Sequence, residues 1–268
     1  MSKDVNAEMT TRSVEHYRAR NEDAPFELLR GSNAWRPVVR LIDAWAKEEL
    51  GSTSGYSSRE LDCFSDALGI RFPAVVREWW RLAGHHPFVE TGLLPDNARF
   101  LKPSDKSLLS CPDLFIIVVD DVQTWSCNGI HTDFLSDANP EVHGLNGMIG
   151  PADDTSLKWY KEKFIATGLR VPDLIFATLL YHLCMRSPLV RDEAVYLQLE
   201  RQGLWGGEPD DRLVLGLGLS RYPNPTIVGD LYSDGEDIIY CWLTGCACRT
   251  EAAAERVRRV APAQVLGS

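Results

Sequence analysis

The chain has 268 residues and a formal net charge of −10, with 44% hydrophobic and 25% charged residues. This composition is typical of a globular protein that buries a core without disulfides or structural metals. The excess of negative charge argues against binding to nucleic-acid phosphates or anionic lipid headgroups, because both need a basic surface. It suits association with a basic partner.

The N-terminal segment predicts no secretion signal. Met1 to Asp4 leads into a polar stretch, and no run of about 18 apolar residues follows anywhere in the chain. The seven cysteines, an odd number among mostly apolar neighbours, are typical of reduced core thiols. We therefore expect a cytoplasmic protein without a membrane span. Residues 1–34 are predicted to be a polar, loosely ordered lead, residues 35–260 the folded domain, and residues 261–268 a tail.

Apolar spacing predicts three helices in the first part of the chain. One begins near Pro37, where the first turn of a helix tolerates proline. Ser57 and Glu60 have the spacing of a capping box, which predicts a second helix that Gly69 closes. The third begins at Pro73 and carries an apolar face that includes two adjacent tryptophans. Helices are thus expected to precede the first strands.

Two strands and a corner are predicted next. Residues 114–119 form a continuous β-rich apolar run, as expected of a central strand covered on both faces. Residues 125–130 follow as a neighbouring strand, and Asp120 and Asp121 stand at the corner between the two. We expect this corner to close a hairpin.

The second half predicts one buried helix and then several strands. The helix from Pro172 is apolar almost all round, which is typical of a helix buried within the fold. Strands are then predicted at residues 213–219, 226–232, 238–243 and 246–249, and a closing helix is predicted at residues 251–260. Helices first and strands later predict an α+β fold in a single domain, with a mixed or antiparallel sheet flanked by helices.

Several of these segments resemble the SUKH superfamily, which includes the SMI/KNR cell-wall-assembly regulators of fungi and many bacterial immunity proteins. Residues 60–84 resemble its opening signature. This signature consists of a helix, a Leu-Gly-x-x-Leu-Pro connection and a second helix that ends in Asn-Gly. Phe72 replaces the usual Leu and Ala83 the usual Asn. Residues 114–130 are similar to its strand, acidic Gln-containing corner and Trp-containing strand, and residues 139–142 resemble its Asp-Pro-x-Val.

The resemblance covers about residues 35–260 and implies a sheet flanked by helices that presents a surface to a protein partner. The usual role of such proteins in bacteria is immunity. The immunity protein binds a toxin domain, often a nuclease or deaminase, and blocks its active site. The acidic composition agrees with such a partner, because nucleic-acid-cleaving toxins are basic.

Occlusion of this kind would use acidic side chains in place of the substrate's phosphates and aromatic side chains as anchors. The candidate partner-binding residues, most of them at predicted turns, are Asp120, Asp121, Trp125, Asp153, Asp154, Asp234, Glu236 and Asp237. The alternative for any one of them is that the carboxylate forms a turn or that the tryptophan packs in the core. Only a cluster on one face would favour binding.

The sequence predicts no catalytic, metal or cofactor site. Cys241, Cys246 and Cys248 lack a fourth zinc ligand at suitable spacing, so we interpret them as strand cysteines that pack as small hydrophobic groups. His85 and His86 follow a helix-ending glycine and are interpreted as a solvated loop. The leading hypothesis is therefore an immunity protein and not an enzyme. A housekeeping regulatory scaffold of the SMI/KNR type and an unrecognised enzyme are the alternatives.

Overall fold

The structure, a computed structural model, describes residues 24–90, 99–111, 113–120, 126–146, 164–186, 216–222, 231–241 and 245–260. The chain divides into two compact units, Met1–Leu174 and Ile175–Ser268, each taken by itself below. Helices occur together with two antiparallel sheets, so the predicted α+β class is confirmed. The predicted domain of residues 35–260 includes parts of both units and stays a prediction. No helix in these ranges has both the length and the apolar character needed to cross a bilayer.

Residues 24–90 of the first unit contain five helices. They are α1 (Phe26–Gly31), α2 (Arg36–Trp45), α3 (Ser58–Leu68), α4 (Ala74–Ala83) and α5 (Pro87–Glu90). The predicted capping box begins α3, since the Ser57 Oγ accepts from the Glu60 N–H at 3.3 Å and Glu60 Oε2 accepts from the Ser57 N–H at 2.8 Å. Gly69 ends α3 in the left-handed conformation, with a φ of 68°. Local sequence chemistry therefore determines where this helix begins and ends.

Helix α1 falls inside the segment that the sequence assigns to a loosely ordered lead. Leu29 is buried, and the Arg30 guanidinium donates to the Leu50 carbonyl and to Asp43, each at 2.9 Å. Six residues are too few to show a helical period in the sequence. The tertiary contacts of Leu29 and Arg30 account for the helix.

The sheet of the first unit is an antiparallel meander. Its strands, in spatial and chain order, are β1 (Arg99–Phe100), β2 (Leu114–Asp120), β3 (Ser126–His131), β4 (Glu141–Asn146) and β5 (Ile165–Arg170). The pairing of β2 with β3, which sets Asp120 opposite Ser126, confirms the predicted hairpin. Gly129 in β3 has no room for a side chain, because a Cβ there would lie 2.0 Å from the Phe115 carbonyl oxygen.

The core between the helices and the sheet is aromatic. Trp79 of α4 stacks on Trp35 with ring centroids 6.1 Å apart, and it lies 5.3 Å from Phe100 of β1. Its neighbour Trp80 meets Phe115 of β2 edge to face at 6.5 Å. Both α4 tryptophans are buried. One helix thus contacts two strands of the sheet and the residue that precedes α2.

Helix α6 (Val171–Arg186) starts at the end of the first unit and continues into the second. The second unit then holds an antiparallel sheet of β6 (Ser220–Tyr222), β7 (Leu231–Ser233), β8 (Ile238–Cys241) and β9 (Gly245–Cys248), followed by α7 (Glu251–Val260). The predicted strand at residues 213–219 is wrong where the structure describes it. Gly216 and Leu217 are helical and Gly218 has a φ of 68°, a conformation that glycine adopts without strain.

A buried polar side chain without partners lies in the middle of the first sheet. Asn128 of β3 is only 1% exposed, and neither its Oδ1 nor its Nδ2 has a hydrogen-bond partner in the part of the chain that the structure describes. Its neighbour across the sheet is Gly144, which has no side chain to offer. A buried amide without hydrogen bonds costs about 1–3 kcal/mol of stability. Among the described residues, Asn128 is therefore a buried amide whose hydrogen-bonding groups are unsatisfied.

Asn128→Val is expected to stabilise the protein by about 1 kcal/mol or more, because valine removes both unsatisfied groups and favours a strand. Equilibrium urea unfolding of the two proteins measures the difference. Thr167→Val is the matched control, since the Thr167 Oγ1 donates to the Val142 carbonyl at 2.8 Å and its loss should cost about 1 kcal/mol. Equal destabilisation by both substitutions would contradict the assignment of Asn128 as unsatisfied.

Candidate functional site

The β7–β8 turn brings together three of the predicted partner-binding residues, Asp234, Glu236 and Asp237. The Asp234 Oδ1 accepts hydrogen bonds from the backbone N–H groups of Glu236, Asp237 and Ile238, at 3.1, 2.9 and 2.9 Å. This arrangement is an Asx turn, in which a carboxylate holds the backbone that follows it. Two of the three carboxylates also bind arginines of the second unit.

Arg256 of α7 donates to the Asp234 Oδ2 at 2.5 Å, and the Arg249 Nε donates to the Asp237 Oδ1 at 2.9 Å. The Asp237 carbonyl accepts a further bond from the Arg249 N–H at 2.8 Å. Asp234 and Asp237 therefore hold the turn against the rest of the unit. The Glu236 side chain is exposed and makes no hydrogen bond that the structure describes, so it is the carboxylate of this turn that a partner can reach.

Of the other predicted partner-binding residues, only Asp120 is among the residues that the structure describes. Asp120 is the last residue of β2 in the first unit, while the β7–β8 turn belongs to the second. Asp121, Trp125, Asp153 and Asp154 lie outside the described residues. Within the described part of the second unit, the β7–β8 turn brings together three residues of that set.

Opposing effects act on the pKa of Asp234. Burial is the largest single effect and raises the pKa. The three backbone N–H donors and Arg256 stabilise the carboxylate, and together they outweigh burial, so the pKa lies below its ordinary value. Asp234 therefore remains ionised at neutral pH and stabilises the folded state there.

Five of the predicted core thiols are buried, at positions 111, 127, 184, 246 and 248, whereas Cys63 on α3 is exposed and the prediction is wrong there. Cys246 and Cys248 lie in the buried cluster that joins β8 and β9 to α7. In the first unit, burial raises the pKa of the Cys127 thiol to about 12, so this thiol is protonated and unreactive at neutral pH. No group of three or more metal-ligating side chains occurs among the described residues.

A cavity in the first unit is a site that sequence reasoning missed. It has a volume of about 370 Å³, within the range of small-ligand pockets. The side chains that line it include Phe26, Tyr56, Glu60, Arg81 and His85. The N-terminal end of α3, the C-terminal end of α4, the loop at residues 51–57 and the start of α1 supply this lining.

The loop at residues 51–57 is held against the end of α4 by backbone hydrogen bonds. The Tyr56 N–H donates to the Trp80 carbonyl at 3.0 Å, and the His85 N–H donates to the Ser54 carbonyl at 2.8 Å. Two glycines permit this approach. A Cβ on Gly55 would lie 1.8 Å from the Arg81 carbonyl oxygen, and a Cβ on Gly84 would lie 2.5 Å from the Tyr56 ring.

The two histidines after α4 do not form the solvated loop predicted for them. His86 is buried, and its Nε2 lies 2.9 Å from the Glu48 carbonyl oxygen. His85 packs on the Tyr56 ring at 3.7 Å between centroids, and its Nε2 lies 3.9 Å from the Glu60 Oε1. Local sequence patterns cannot reveal these contacts, because the partners are 25 or more residues away in the chain.

The Glu60 carboxylate is the fixed negative charge of the cavity. Hydrogen bonds from the Ser57 hydroxyl and the Ser57 backbone N–H lower the pKa of Glu60. Both bonds go to Oε2, at 2.7 and 2.8 Å. The other oxygen, Oε1, is beyond hydrogen-bond distance of His85. The capping box identified from the sequence thus also orients an ionised carboxylate at the cavity.

Asp234→Asn is expected to lower the free energy of unfolding at pH 7 by about 1–2 kcal/mol, because hydrogen bonds to an ionised acceptor are stronger than those to a neutral amide. A lowered folded-state pKa gives stability above the unfolded pKa, about 3.9, that is lost as the pH falls through the folded pKa. The difference between the two proteins should therefore shrink below about pH 4. Urea unfolding across this range measures it. Glu236→Gln is the control and should show no such gap.

Comparisons of the chain with protein-family models, with curated proteins and with solved structures found no match. No relative therefore supplies a function or a set of site residues. The resemblance to the SUKH superfamily depends on the residues quoted above, and the function is argued from those residues and from the structure.

Proposed function

We propose that this chain is a cytoplasmic immunity protein that binds a basic toxin domain, of nuclease or deaminase type, and occludes its active site. The observation that carries the proposal is the order of parts in the first unit. A capping-box helix, a tight connection from Gly69 to Pro73 and a second helix precede an antiparallel meander. This is the order of parts expected of a SUKH-like domain.

Charge supports the same partner. The formal net charge is −10, and several carboxylates are well exposed, with side-chain exposures of 79% for Asp133, 70% for Glu251 and 65% for Asp62. A toxin that cleaves or modifies nucleic acid presents a basic surface to phosphates. Opposite charges on the two proteins speed association and penalise wrong partners.

Cells that express a toxin domain encoded beside this chain's gene should survive only when the chain is co-expressed. The purified chain should abolish the toxin's activity on nucleic acid at about one chain per toxin domain, because occlusion is stoichiometric. Plating efficiency and a cleavage or deamination assay measure the two effects, with an unrelated protein of equal charge as the control. Failure to protect, together with co-purification of an envelope-synthesis protein, would favour the regulatory scaffold instead.

Glu236→Lys is expected to slow association with the toxin severalfold at low salt, because it reverses the accessible charge of the β7–β8 turn. Its fold should be unchanged, since the Glu236 side chain is exposed and holds no part of the turn. Stopped-flow or surface-binding kinetics measure the rate. Asp66→Lys makes the same change in net charge on an exposed position of α3 and is the matched control. Equal effects of the two variants would show that the β7–β8 turn is not part of the binding surface.

A further inference from the structure

The cavity between α3 and α4 has a negative side. The Glu60 carboxylate is held by the Ser57 hydroxyl and backbone N–H, so its orientation is set before any ligand arrives. Its side chain is still 52% exposed. The C-terminal end of α4 borders the same cavity. The Arg81 carbonyl, near this end, approaches Gly55 in the cavity lining.

Aromatic rings line the cavity beside this carboxylate. Tyr56 and Phe26 both contribute to the lining, and Tyr56 is fixed by its packing against His85 and by an edge contact with Phe64 at 6.0 Å. Aromatic faces attract ammonium and guanidinium groups through the ring quadrupole. A carboxylate next to aromatic faces is a combination that recognises organic cations.

The lining also contains the Arg81 guanidinium, which a hydrogen bond holds in position. Arg81 donates through Nη1 to the Ala24 carbonyl at 2.6 Å. This bond joins Ala24, the first residue that the structure describes, to α4. His85 is the other titratable group that faces Glu60, and it packs on Tyr56. Arg81 therefore closes the cavity on the side of Ala24, and Glu60 is the carboxylate that the cavity presents.

We infer that this cavity receives one basic side chain, a lysine or an arginine, presented by the protein partner. The inference rests on the proposed function, because it supplies the contact that a basic toxin domain would make with this unit. The partner's cation lies against the Glu60 Oε1, and its aliphatic stem occupies the rest of the cavity beside Phe26. An anchored basic side chain of this kind is a common centre of an interface.

The test uses n-butylguanidinium as a probe of the arginine side chain and N-butylurea as its neutral counterpart of the same shape. Backbone amide resonances of Gly55, Tyr56 and His85 are followed by NMR in the full-length chain during each titration. We expect saturable shifts with butylguanidinium, with a dissociation constant on the order of 1 mM, and none with butylurea.

Glu60→Gln removes the charge but keeps the capping box, because glutamine also serves at this position of the motif. It should weaken butylguanidinium binding roughly two- to fivefold, as expected for one half-exposed charge pair. Asp66→Asn removes a charge from the same helix outside the cavity and should leave binding unchanged. The Glu60→Gln spectrum away from the cavity shows whether the fold is retained.

Saturable binding of butylguanidinium that depends on Glu60 and not on Asp66 supports the inference. Absence of saturable shifts, equal shifts with butylurea, or binding that Glu60→Gln leaves unchanged would overturn it. These results are separate from those that test the proposed function. A chain that binds the cation in this way but protects no cell from a toxin would keep the cavity's assignment and lose the proposed immunity role.

Discussion

Two adjacent tryptophans on α4 join the helices of the first unit to its sheet. Trp79 packs between Trp35 and Phe100, and Trp80 packs against Phe115 on β2. Trp80 also donates through Nε1 to the Leu101 carbonyl at 3.1 Å, so its one polar group is satisfied. Large aromatic side chains dominate the energetics of a core of this size. The position of α4 on the sheet is therefore set by these two side chains.

The cavity depends on the same helix. The carbonyl of Trp80 accepts hydrogen bonds from Tyr56 and from Gly84, so the residue that fills the core also anchors the loop at the cavity's edge. Arg81 and His85, which line the cavity, follow within five residues. Trp80 thus links the core to the candidate site, and backbone hydrogen bonds hold the loop at residues 51–57 beside α4.

Much of the fold could be predicted because the signals are local. The capping box of Ser57 and Glu60, the left-handed Gly69 and the apolar run of β2 each lie within one short stretch of sequence, and each forms the predicted element. The closing helix at residues 251–260 also agrees with its prediction. The strand predicted at residues 213–219 failed because apolar residues between glycines do not distinguish a strand from a turn.

The candidate site was beyond this kind of reasoning. Glu60 was identified only as a capping residue, and nothing near it in the sequence shows that His85 and Arg81 lie beside it. The aspartates of the β7–β8 turn illustrate the opposite case. Their spacing predicted both a turn and an acidic surface. Only the structure shows that Arg256 of α7 binds the Asp234 carboxylate and that Arg249, which precedes α7, binds the Asp237 carboxylate.

The close approach at Gly55 and Gly84 restricts how this protein can diverge. A side chain at either position would enter the backbone of α4 or the Tyr56 ring, so substitutions there require the loop and the helix to move together. A Cβ added to Gly31 or Gly51 would meet no described atom within 4 Å, so these two glycines carry no such constraint. In a family alignment, Gly55 and Gly84 should therefore remain invariant while their neighbours drift.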